Sequence, residues 1–153
     1  MKKNIIKKVL TAGVFLFGAG YITGASAHVT PEHDLYSGFS DSPVQYGATD
    51  VWQTTCSGGS DRLVFRILDT EAGRSNVSAQ AYKDGKAANT VDLRGGDSTS
   101  SAFVKVASGD GVYTMIVSQS LPGFNFYILE YHCENANGGH TTTTQVFDPI
   151  QDQ

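Results

Sequence analysis

The stretch Gly111–Cys133, GVYTMIVSQSLPGFNFYILEYHC, decides the fold. Val112–Gln119 and Phe124–Cys133 are rich in β-branched and aromatic residues, and Leu121-Pro122-Gly123 between them carries turn chemistry. In the second run strict alternation puts Tyr127, Leu129, Tyr131 and Cys133 on one face. Phe126, Ile128, Glu130 and His132 fall on the other. The expectation is a β-hairpin whose return strand carries a disulfide candidate and an imidazole on opposite faces.

The same texture extends upstream. Asp50–Thr55 leads into Cys56, and Ser57-Gly58-Gly59-Ser60 turns the chain. Arg62–Leu68 and Asn76–Lys83 alternate as strands, and Asp84-Gly85 is a strong two-residue turn signal. Thr90–Leu93 and Ala102–Ala107 read as further strands, and the Thr-rich run Thr141–Phe147 can close a sheet edge. Past residue 27 no helical period intervenes. About eight short strands with turn residues between them predict an all-β fold, a single antiparallel, jelly-roll-like sandwich.

Residues 1–27 read as an export signal. Lys2, Lys3, Lys7 and Lys8 precede the apolar run Val9–Ile22, and Ala25-Ser26-Ala27 has the small-x-small pattern of a cleavage site. Cleavage after Ala27 is expected, with Ala25 as the alternative; an uncleaved anchor fits less well, because the run is short and interrupted by glycines. The implied location is secreted or periplasmic, with no membrane attachment after cleavage. Losing four lysines and no acid moves the formal charge from −4 to −8. An acidic chain without basic clusters is not expected to bind nucleic acid.

The expected division is signal peptide 1–27, extended arm 28–47 and sandwich 48–153. The arm carries Leu35, Tyr36, Phe39 and Tyr46, too many apolar groups for a tail in solvent. It either packs on its own domain or donates a strand to a neighbouring subunit. Cys56 and Cys133, the two cysteines of the chain, are expected to form a bridge in an oxidising compartment. A metal-thiolate pair or two free thiols are the alternatives. Chain entropy gives such a bridge about 4 kcal/mol of stabilisation.

The opening strand Asp50-Val51-Trp52, the middle strand Val77–Tyr82 with Asp84-Gly85 after it, and Gly111-Val112-Tyr113 before a late apolar strand carry a resemblance. Over about Asp50–Cys133 the chain is similar to the bacterial pre-peptidase C-terminal domain and related jelly-roll modules. The resemblance implies a mostly non-catalytic module of secreted or surface proteins. The cysteine pair departs from that pattern, and no catalytic domain is attached.

The histidines are His28, His33, His132 and His140. Cleavage after Ala27 makes His28 the first residue, so its α-amine and imidazole can chelate one ion together. In this respect it resembles the histidine brace of lytic polysaccharide monooxygenases and the N-terminal His of CopC-type copper carriers. His140, in the Asn137-Gly138-Gly139-His140 loop, is the preferred partner, with His33 or His132 as further ligands. An all-nitrogen set suits copper as Cu(II), with Ni(II) or zinc behind it. The plainer reading is four surface histidines near exposed ends.

Calcium at the turn residues Asp84, Asp97 and Asp110 is a weaker expectation, since Asp favours turns without an ion. Tyr36, Phe39, Tyr46 and Trp52 could form a sugar-binding platform, although such residues more often pack an arm on a core. No serine sits in a nucleophile-elbow pattern. The functional expectation is therefore a non-catalytic binding or structural module, not an enzyme, with a metal ion and self-association as candidate partners. The alternatives are a subunit of an extracellular filament or surface layer assembled by strand donation, and a copper-dependent redox enzyme using His28.

Overall fold

A computed structural model of the chain describes residues 27–36, 48–73 and 75–152. Among the described residues ten strands form two five-stranded antiparallel sheets packed face to face, the antiparallel sandwich that the sequence predicts, though with more strands than the eight or so expected. They are β1 (His28–Val29), β2 (His33–Tyr36), β3 (Thr49–Ser57), β4 (Arg62–Asp69), β5 (Val77–Lys83), β6 (Lys86–Asp92), β7 (Val104–Val106), β8 (Gly111–Gln119), β9 (Phe124–Glu134) and β10 (Thr142–Thr143). One sheet runs β1-β9-β4-β7, with β2 also pairing β9; the other runs β10-β3-β8-β5-β6.

Alternation builds the core. Leu63, Phe65 and Ile67 of β4 and Tyr127, Leu129 and Tyr131 of β9 point inward from one sheet and are fully buried. Trp52 of β3, Val77, Ala79 and Ala81 of β5, and Tyr113, Met115 and Val117 of β8 meet them from the other. The small β5 residues leave room for the aromatic rings opposite, which is how two such layers interdigitate. The Cys56–Cys133 disulfide ties β3 to β9, hence sheet to sheet, with its Cα atoms 5.6 Å apart.

A polar chain crosses the same interior. Trp52 Nε1 donates to the Tyr127 hydroxyl at 2.8 Å, and that hydroxyl donates to Asp50 Oδ2 at 2.7 Å. All three residues are fully buried. Burial, reinforced by the neighbouring Asp50 carboxylate, pushes the Tyr127 phenol far above its ordinary pKa, so it remains a donor.

The expected β8–β9 hairpin does not form. β8 pairs with β3 and β5, and β9 pairs with β4 and with β1 and β2. Residues 120–123 instead carry the chain from one sheet to the other. Local turn chemistry is the same for a hairpin and for such an arch; the strands cannot pair because their edges are already occupied. A second correction concerns β6, which begins at Lys86 rather than Thr90. Asp84 (φ 50°) and Gly85 (φ 74°) form the tight turn that sets Lys83 opposite Lys86 and starts the ladder at once.

The described part of the arm lies on its own domain. His28 and Val29 pair with Tyr131 and Glu130, and His33–Tyr36 pairs with Phe124–Tyr127. Between them Thr30 exchanges bonds with Leu129, and Leu35 is fully buried. Residues 1–26 and 37–47, on which the signal-peptide reading and the aromatic residues Phe39 and Tyr46 fall, lie outside the described residues.

Candidate metal centre

Period-2 geometry turns His132 and Glu134 of β9 to the outer face of their sheet, away from Cys133. The chain then reverses over Asn135–Gly139. The Asn135 amide donates to Gly139 O at 2.8 Å, and the Gly138 amide donates to Asn135 O at 3.0 Å. The Asn135 side-chain Oδ1 accepts from the amides of Asn137 (2.9 Å) and Gly139 (3.0 Å). Gly138 sits at φ +83°, a conformation that a side chain disfavours. This tied turn sets His140 opposite Glu134 in a β-bridge, on the same face, with His132 diagonal to it.

The result is a triad. One ligand atom from each of His132, Glu134 and His140 lies within 4.8 Å of the others. The two imidazoles stack at 4.2 Å with 13° between planes. His132 is 7% exposed. Its Nε2 is 3.0 Å from Glu134 Oε1, while its Nδ1 is buried with no partner among the described residues. The nitrogen that faces the carboxylate is thus Nε2, and the orphaned Nδ1 is the other ring nitrogen, an exception to the rule that buried polar atoms are satisfied.

Arg62, directly across the β4–β9 ladder, donates Nε to Glu134 Oε2 at 2.8 Å. That contact leaves Oε1 turned to His132. Burial opposes ionisation of Glu134, but the hydrogen bonds and charges of Arg62 and His132 outweigh it and hold the carboxyl below its ordinary range. The carboxylate is therefore ionised at neutral pH, as a metal ligand must be. Phe103 closes one side, edge-on to His132 at 5.8 Å between centroids and beneath the Arg66 guanidinium at 4.3 Å.

Of the expected ligands, the structure brings His132 and His140 together and places His28 and His33 elsewhere. The His140 loop closes on its own strand rather than on the arm. His28 pairs with Tyr131, on the opposite face of β9 from His132, its ring 5.9 Å from that of Tyr131. The His33 ring stands edge-on to Trp52 at 4.7 Å, and its Nε2 lies 3.1 Å from Phe147 O. Asp84 accepts from Lys83 and Ser108, Asp97 from the Thr99 amide, and Asp110 from the amides of Gly59 and Ser60. Each is engaged in a turn. Trp52 is fully buried and cannot belong to a surface sugar platform.

Sequence reasoning missed Glu134 and Arg62. The signal was present: His132 and Glu134 are two apart on a strand, and an Asn/Gly-rich turn returns to His140. No protein family, curated protein or solved structure matches the chain.

Proposed function

We propose that this is an exported, non-catalytic β-sandwich module that holds a divalent transition ion at His132, Glu134 and His140. The observation that carries the reading is the stacked His132–His140 pair with Glu134 Oε1 3.0 Å from His132 Nε2, ligand atoms of all three lying within 4.8 Å of one another. Two imidazoles and one carboxylate suit Zn(II) or Cu(II), and leave a coordination position for an outside ligand. The ligand atoms need to close by only about an ångström to reach ordinary metal–ligand distances near 2 Å.

Arg62 acts as an outer partner that orients the carboxylate, the role such contacts play around bound metals. Export is supported by the buried disulfide, which persists in oxidising compartments, and no described helix is long and apolar enough to cross a membrane. Binding is favoured over turnover by what surrounds the triad. Arg62 is already paired to Glu134, and Phe103 packs its ring against His132.

Calorimetric titration of the mature protein with Zn(II) and with Cu(II) tests the reading. His140→Ala is expected to weaken binding at least 10-fold, and Glu134→Gln comparably, while His28→Ala leaves it unchanged. Loss of binding in His28→Ala, with His140→Ala behaving as wild type, would return the site to the N-terminus.

A further inference from the structure

The triad does not stand on a flat surface. Val64, Ala88, Phe103, Val104, Lys105 and Glu134 line an open cleft of about 510 Å³ on the β7 side of the site. Its size lies within the range that small-molecule sites occupy. Glu134 belongs to both the cleft and the triad, so an ion held there borders the cleft.

Register fixes the layout. His132 is opposite Val64 across the β9–β4 ladder, and Val64 is opposite Lys105 across β4–β7. His132, Val64 and Lys105 therefore follow one another across three strands on one face, their backbones about 5 Å apart per step. Phe103 reaches over this row to His132 while remaining 44% exposed. Lys105 has no ion-pair partner among the described residues, whereas Arg62 and Arg66 are paired to Glu134 and Glu130. The cleft thus has a metal-binding end, an apolar middle and an uncompensated cation at its rim.

We propose that this cleft binds a small aromatic acid, a molecule that joins an anionic metal-chelating head, a hydroxamate or a carboxylate, to an apolar ring. The inference rests on the metal reading above. The head takes the coordination position that the three protein ligands leave, and the ring lies against Val64 and Phe103. Lys105 supplies the charge that favours an anion over a neutral molecule of the same shape. Burial of a phenyl ring against such a wall is worth about 10-fold in affinity or more.

The probes are benzohydroxamate and acetohydroxamate, which share an anionic chelating head and differ in the ring. Zn(II) binding is first measured alone by calorimetry, then each hydroxamate is titrated into the Zn(II)-saturated protein. The expected result is at least 10-fold tighter binding of benzohydroxamate. Phe103→Ala should remove most of that difference, and Lys105→Ala should weaken both probes, each variant being titrated with the hydroxamates only after saturation judged from its own Zn(II) isotherm. Equal affinity for the two probes in a protein that does bind Zn(II) overturns the cleft and leaves the metal site standing. Failure to bind Zn(II) in the first titration overturns both.

Discussion

Tyr127→Phe removes one oxygen from the centre of the sandwich, and the structure sets the size of the effect. That hydroxyl accepts from Trp52 at 2.8 Å and donates to Asp50 at 2.7 Å, so two bonds are lost together. A hydrogen bond to a charged acceptor contributes about 1.5–3 kcal/mol, and the buried indole N–H left without its acceptor adds about 1–3 kcal/mol. Their sum, about 2.5–6 kcal/mol, is a large part of the stability of an ordinary domain. With a urea m-value of about 2 kcal/mol/M, the midpoint should fall by about 2 M with the slope unchanged. Trp52 is the single tryptophan of the chain, so its fluorescence reports the transition from inside the network. Tyr82→Phe, at a side chain 46% exposed, is the control and should shift little. A Tyr127→Phe midpoint within about 0.3 M of wild type would refute the claim that this chain of bonds holds the sheets together.

Replacing both Cys56 and Cys133 with alanine should cost about 4 kcal/mol in the same assay, since the bridge closes a span of 77 residues; a cost below about 1 kcal/mol would contradict the oxidised pair. Leu35→Ala should destabilise by about 3 kcal/mol if the arm docks as described, and should be neutral if it does not. Acid stability should depend on Asp110, whose carboxyl is held below its ordinary range by the amides of Ser60 and then Gly59. A depressed folded pKa contributes stability that is present above the unfolded value near 3.8 and lost as pH falls through the folded value. Asp110→Ala should therefore flatten the stability profile below pH 3.8, and superimposable slopes would contradict it. Asp69 acts with the opposite sign, because burial raises its carboxyl despite the Glu71 amide and Asn125. Its contribution is present at low pH and is lost as pH rises through the raised value.

Much of the sandwich is legible in alternation alone. The inward and outward sets of β4, β8 and β9 follow directly from period 2, because one face must be buried. Asp84-Gly85 is equally legible, since few dipeptides fit that turn. What alternation cannot carry is partner choice. Leu121-Pro122-Gly123 turns the chain, but which edges β8 and β9 offer depends on β3, β4, β5 and the arm, which are distant in sequence. The site divides in the same way. His132 and His140 are visible as residue types, and the tie between them is local: Asn135 fixes the turn that brings His140 back to Glu134. His28 draws attention through the chemistry of a free N-terminus, yet pairing with Tyr131 sets it on the other face of β9. Arg62 owes its role to a ladder register that no single stretch contains.

The most direct test is a crystal of the mature protein grown with Zn(II) and measured on both sides of the zinc absorption edge. One dominant anomalous peak is expected in contact with His132, Glu134 and His140, with the Arg62–Glu134 pair intact. A dominant peak at the His28 amine, or no peak at the triad under saturating Zn(II), would contradict it.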